Sequence, residues 1–256
     1  MSDTAVKGSP LLEIACFNAE SALLAAASGA DRIELCKNYP LGGLTPDPSS
    51  LTTLKSQLDI PVYVMIRPTS ESFCYSSADF EQMKTEIDLF KNLGADGFVF
   101  GILYTPSEGG GGDPSRSLVD IARNTELVER ADGRPCTFHR AFDLIPESQW
   151  ETALQDVRDC GFSSILTNGG PSGNAAVECV DKLATLVQWT EQYGTLDTAT
   201  GHCLPEIIVG GGVRSSNTGM LQAQTRARAF HSAALTGNGE IASADEVRRM
   251  SASLKG

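Results

Sequence analysis

Residues 137–143 read Thr-Phe-His-Arg-Ala-Phe-Asp: an aromatic, β-branched run that ends in His139 and Arg140 and reaches Asp143 three residues on. Polar groups at the end of an apolar run cost free energy unless they are paired or used. A histidine beside an arginine and a carboxylate is the composition of acid/base chemistry. Two more carboxylates stand inside apolar runs, Glu13 between Leu12 and Ile14, and Glu34 between Ile33 and Leu35. On a strand, alternation turns each glutamate away from its apolar neighbours. Arg67 closes Met65-Ile66-Arg67-Pro68, and His231 with Ser232 ends a further run. Brought together, Glu13 or Glu34 would serve as general base and His139 as acid/base, with Arg67 holding an anion and Arg140, Asp143 and His231 completing the cluster. The structural alternative is a buried ion-pair network that pins the scaffold.

Glycine-rich turns are the second kind of signal. Gly210-Gly211-Gly212-Val213 follows an apolar run. Glycines let backbone amides approach an anion closely, so Gly210, Gly211 and Gly212, with Ser232, are the candidate anion-binding residues. Asn168-Gly169-Gly170 is a weaker version, and Gly109–Gly112 reads as a surface loop. His202 sits in a polar loop, where exposure alone accounts for it. No GxSxG elbow or HExxH helix occurs.

Positioning these groups requires a scaffold. Short apolar runs at 11–16, 31–36, 61–67, 97–101, 135–139, 163–167, 206–210 and 229–232 read as strands, rich in Ile, Val and Phe and bounded by Gly, Pro or Asp. Helical patterns separate them at 19–28, 48–58, 78–93, 146–160, 173–193, 215–226 and 243–254, with one more from an Asp113-Pro114 start to about residue 130. Eight such units predict a (β/α)8 barrel, an α/β fold over residues 11–256 after a tail of residues 1–10. An open doubly wound sheet with a second lobe is the runner-up. In a barrel the working residues collect at the carboxyl ends of the strands, where the groups above would fall. Gly29-Ala30-Asp31 recurs as Gly94-Ala95-Asp96, a turn and strand entry that needs no functional reading.

The chain has 256 residues, 41% of them hydrophobic, and a formal net charge of −12. That acidity argues against non-specific nucleic-acid binding and against docking to anionic lipid. No run approaches the roughly 18 apolar residues of a membrane span, and the polar N-terminus lacks an apolar signal core, so a cytoplasmic location is expected. Seven scattered cysteines without CxxC spacing fit reduced, mostly packed thiols better than disulfides or structural zinc.

Over nearly its whole length the chain resembles the CutC family, named for copper homeostasis. The resemblance is carried by Leu12-Glu13-Ile14, Ala30-Asp31-Arg32-Ile33-Glu34-Leu35-Cys36, Gly42-Gly43-Leu44-Thr45-Pro46, Met65-Ile66-Arg67-Pro68, Phe73-Cys74-Tyr75-Ser76, the segment 96–101, the segment 137–143, Ile165-Leu166-Thr167 and the triple-glycine turn. It implies an intracellular, homo-oligomeric (β/α)8 barrel that binds Cu(I) through cysteine, the soft ligand this ion prefers. Cys36 matches that pattern. At the first strand Ala15 stands where family members often carry cysteine, which leaves Cys16 as the candidate partner and Cys74 as a substitute. The loop after the last strand also lacks the family's methionine–aromatic–arginine segment. Two functions follow, Cu(I) handling and, as the alternative, acid/base catalysis on a small anionic metabolite.

Overall fold

The structure, a computed structural model, describes residues 8–104, 118–192, 203–237 and 239–256. Eight parallel strands close in sequence order: β1 (Leu11–Cys16), β2 (Arg32–Leu35), β3 (Val62–Met65), β4 (Gly97–Phe100), β5 (Cys136–Phe138), β6 (Ser164–Thr167), β7 (Glu206–Val209) and β8 (Ala229–Ser232), with β8 returning to β1. The helices between them are α1 (Ala19–Ala27), α2 (Pro48–Lys55), α3 (Ser77–Asn92), α4 (Ile121–Arg130), α5 (Trp150–Asp159), α6 (Val180–Gln192), α7 (Thr218–Thr225) and α8 (Ala244–Lys255). This is the predicted (β/α)8 barrel; an open sheet is excluded by closure.

Alternation along the strands builds two layers. Leu12, Ile14 and Cys16 of β1, Ile33 and Leu35 of β2, and Val62 and Val64 of β3 join the helix-facing core. Ala15, Cys36, Tyr63, Met65 and Val99 pack inside the barrel on one side, and Leu166, Ile208 and Ala229 on the other. The charged residues of β1, β2 and β8 lie in the same interior.

The repeated Gly-Ala-Asp turn has a structural cause. The Asp31 carboxylate accepts from the Leu12 amide and Asp96 from the Val62 amide, each at 2.8 Å, while each aspartate's own amide donates to the carbonyl of the same partner. Each aspartate thus ties the start of its strand to the preceding strand. Lys255 and Lys55 neutralise them.

Strand ends differ from the sequence reading. β3 stops at Met65, so Arg67 belongs to the loop, and β5 stops at Phe138. His139 instead caps a 3-10 turn over Arg140–Leu144, its ring Nδ1 accepting from the Ala141 amide at 3.3 Å. Gly101 makes this possible, because a Cβ there would lie 2.9 Å from His139 Nδ1. The Asp113-Pro114 helix start, Gly109–Gly112 and His202 lie outside the described residues. No helix among the described residues is long and apolar enough to cross a membrane.

Candidate active site at the barrel mouth

Register stacks the polar groups. Glu13 is level with Arg32 on β2 and with His231 on β8. Glu13 is wholly buried; its Oε2 accepts from Arg32 Nε at 2.6 Å and its Oε1 from His231 Nδ1 at 2.7 Å. Burial alone would push the carboxyl up, but the Arg32 charge and the His231 hydrogen bond overcome it and hold the group at about 2. Arg32 in turn lies over the Tyr63 ring, 4.3 Å from its centroid. Glu13 therefore anchors the site from beneath. It does not reach the cavity above, so the role of general base does not suit it.

His231 is the group this anchor orients. With Nδ1 donating to Glu13, Nε2 is the free ring atom, and it has no partner among the described residues. The imidazole is 13% exposed and lines the cavity. Burial opposes its protonation, but Glu34 and Glu13 outweigh burial and raise its pKa above the ordinary histidine value. A buried carboxylate on Nδ1 fixes the tautomer and the ring's orientation.

Glu34 approaches the same ring nitrogen more distantly, its Oε2 3.9 Å from His231 Nδ1. That is too long for a hydrogen bond. Its Oε1 accepts from the Cys36 thiol at 3.2 Å, while Oε2 is buried with no partner among the described residues. Burial raises its pKa against the pull of His231, and pushes the Cys36 thiol well above its ordinary value, with the Glu34 charge adding to the effect. Oxygen and nitrogen atoms of Glu13, Glu34 and His231 lie within 4.8 Å of one another. A cation there would compete with Arg32 for Glu13 and with a proton for His231.

These groups open on a cavity of about 230 Å³ at the carboxyl ends of the strands. Glu34, Cys36, Arg67, His139, Arg140 and His231 line it, together with Met65, Phe73, Gly211, Gly212, Arg214 and Ser232. Glu13, Asp143, Gly210 and Cys16 do not.

Several predicted roles change. Arg67 is a loop clamp: Nη1 donates to the Leu41 and Gly43 carbonyls and Nη2 to Ser70, while the guanidinium stacks 4.8 Å from the Phe73 centroid. Its Nε has no partner among the described residues. The Tyr75 hydroxyl, pushed up to about 12 by burial against the pull of the Arg67 charge, has no hydrogen-bond partner among the described residues. His139 is buried, and burial together with the neighbouring Arg67 lowers it to about 3. Because Nδ1 accepts from Ala141, the proton sits on Nε2, which is unpartnered among the described residues. His139 is thus a neutral donor, unsuited to carry a proton near pH 7. Asp143 is a structural clamp; it accepts from Thr167 Oγ1 at 2.6 Å, the Asn168 amide at 3.1 Å and Arg140 Nε at 2.7 Å.

The Gly210 amide donates to the Thr167 carbonyl and is unavailable to an anion. The Ser232 hydroxyl donates to the Val213 carbonyl and accepts from Arg214 Nη1 and the Ala234 amide, so it positions Arg214 and has no proton left to offer. Cys16 faces the helices, and its thiol donates to the Ile14 carbonyl at 3.6 Å. Cys36 faces the interior, so the two thiols lie on opposite faces of the sheet. Cys74 is exposed in the loop after β3. Sequence reasoning missed Arg32, Arg214 and Met65. Arg32 carried a signal, since it alternates with Glu34 on β2; Arg214, beyond the glycines, carried none.

The CutC family profile matches residues 10–236, most of the chain. This chain belongs to the CutC family. It is 34% identical to a family protein CutC of Chromobacterium violaceum, over 93% of this chain and 85% of that one. It is equally 34% identical to the copper homeostasis protein cutC homolog of Drosophila melanogaster, over 93% and 82%. A crystal structure of the putative copper homeostasis protein CutC from Streptococcus agalactiae superposes with a TM-score of 0.74 at 27% identity, covering 88% of this chain and 98% of that one. The phosphoribosyl anthranilate isomerase of Thermococcus kodakaraensis, at 12% identity and a TM-score of 0.58 over 96% and 99% of the two chains, shares the barrel fold alone.

Proposed function

We propose that this CutC-family barrel is an enzyme that moves a proton on a small anionic metabolite bound at the mouth. The observation that carries this reading is the Glu13–His231 pair: an imidazole that lines the cavity and is tied by Nδ1 to a buried carboxylate at 2.7 Å, with Nε2 left without a partner among the described residues. His231 is the proton carrier, Glu13 and Arg32 position it, and Glu34 is the second acid/base group. The unpartnered Glu34 oxygen costs about 1–3 kcal/mol if nothing uses it, and a substrate hydrogen or a shared proton would relieve that cost. His139, neutral and with its Nε2–H unpaired, would donate to a substrate oxygen. The roles of Glu34 and His231 belong to a coupled pair. As a test, the purified chain is incubated with a metabolite extract and followed by mass spectrometry. Wild type is expected to convert one or a few compounds, and His231→Asn none. Equal conversion by both would overturn the reading.

A second reading is favoured by one observation together with the family name. The Cys36 thiol and the Met65 thioether both line the cavity, near His231. Sulfur and imidazole ligands suit Cu(I), whereas the Cys16–Cys36 pair does not fit, because the thiols lie on opposite faces. Copper would be cargo, and its binding would have to displace the Cys36 proton, for which Glu34 is the nearest acceptor. Titration of reduced protein with Cu(I) against a competing chelator is expected to show weaker binding for Cys36→Ala and unchanged binding for Cys16→Ala. Equal affinity of Cys36→Ala and wild type would remove this reading.

A further inference from the structure

The mouth gathers positive charge in an acidic protein. The formal net charge is −12, yet Arg67, Arg140 and Arg214 all line one cavity. They are not equivalent. Arg67 spends Nη1 and Nη2 on backbone carbonyls. Arg140 uses only Nε, on Asp143, and Arg214 only Nη1, on the Val213 carbonyl and Ser232 Oγ. The remaining N–H groups of these two side chains have no partner among the described residues, and the Arg140 side chain is 38% exposed.

Both are braced from behind. Asp143, which holds Arg140, is itself fixed by Thr167 and the Asn168 amide. Ser232, which holds Arg214, is fixed by Val213 and Ala234. Gly211 and Gly212, just before Arg214, adopt φ of 88° and 76°, a region only glycine enters without strain. The Gly211 carbonyl accepts from the Ala176 amide at 2.8 Å. Across a trans peptide this directs the Gly212 N–H to the opposite side.

We propose that Arg140 and Arg214, with the Gly211 and Gly212 amides, form the subsite for the phosphate of a small phosphate monoester, whose other end lies at His231 and Glu34. The second clause rests on the proton-transfer reading above; the first does not. Two guanidinium forks and two amides offer more donors than the two oxygens of a carboxylate can accept, and they match the several oxygens of a phosphate dianion. Arg140 is also close enough to His231 to oppose its protonation. A bound phosphate neutralises Arg140 and so strengthens the hold of His231 on its proton.

The test is isothermal titration of the full chain with inorganic phosphate at fixed ionic strength, with acetate as comparator. Saturable phosphate binding is expected, weakened at least about tenfold by Arg140→Gln and by Arg214→Gln. Arg248→Gln, an exposed substitution on α8, should leave it unchanged. Circular dichroism checks the fold of each variant, and Arg214→Lys, which keeps the charge but not the fork, should weaken binding less than Arg214→Gln. Absence of saturable phosphate binding, acetate bound as tightly, or arginine variants that bind like wild type would overturn the subsite. If phosphate binding is absent while His231-dependent conversion of metabolites persists, the subsite falls and the proton chemistry stands.

Discussion

Replacing Arg32 by Met removes the charge that keeps Glu13 ionised while retaining a side chain that can pack on Tyr63. Two routes give the magnitude. Breaking a buried ion pair by deleting one partner costs about 3–5 kcal/mol. Independently, holding the Glu13 carboxyl at about 2, against an ordinary value of 4.5, corresponds to roughly 3 kcal/mol in favour of the folded state. His231 still donates to Glu13 in the variant, so a loss of about 3 kcal/mol at pH 7 is expected. The pH dependence has a definite sign. A carboxyl depressed in the folded state contributes stability above its unfolded range, and that contribution disappears as pH falls from about 4.5 to about 2. Arg32→Met should therefore flatten the stability profile in that window. Urea unfolding followed by tryptophan fluorescence between pH 2 and 8 measures both effects. Glu13→Met combined with Arg32→Met leaves no uncompensated buried charge and should recover about 2 kcal/mol relative to the sum of the single losses. A loss below about 1 kcal/mol for Arg32→Met, with an unchanged acid profile, would refute the claim that Arg32 holds the Glu13 charge.

Other outcomes follow from the same geometry. His139, lowered to about 3, should remain the neutral Nε2–H tautomer from pH 5 to 8 by ¹⁵N NMR; because its folded pKa is depressed, it withdraws stability as pH falls from about 6.5 toward 3. Asp143→Ala strands the Thr167 hydroxyl and the Asn168 amide and frees Arg140, so urea unfolding should show a loss of about 2–4 kcal/mol. Arg140→Gln keeps a donor for Asp143 and should lose less than about 1 kcal/mol in the same assay.

The barrel was legible because its signals are local: short Ile/Val/Phe runs, helical spacing between them and Gly or Pro at the joints. The inward direction of Glu13 and Glu34 was legible for the same reason, since alternation is a backbone property. What alternation does not carry is depth. Glu13 and Glu34 are both inward, yet the register between β1 and β2 sets Glu13 level with Arg32 and Glu34 two positions further on, level with Ala15 on the cavity wall. Arg67 and Asp143 looked like site residues by type, but their donors and acceptors are consumed by loop backbone, which depends on how distant loops fold back. His139 and His231 were indistinguishable in sequence. One is capped by a backbone amide and held neutral, the other is tied to a carboxylate, and only the closed barrel separates them. Cys16 behaved as alternation requires.

The account turns on His231 standing at the mouth with Nδ1 held by Glu13 and Nε2 free to exchange its proton. With only three histidines in the chain, ¹⁵N-detected NMR titration resolves it. The account predicts that Nδ1 stays protonated throughout, that Nε2 titrates above the ordinary histidine value, and that Glu13→Gln moves this titration downward. A His231 ring that titrates at the ordinary value in wild type, or is indifferent to Glu13→Gln, would contradict it.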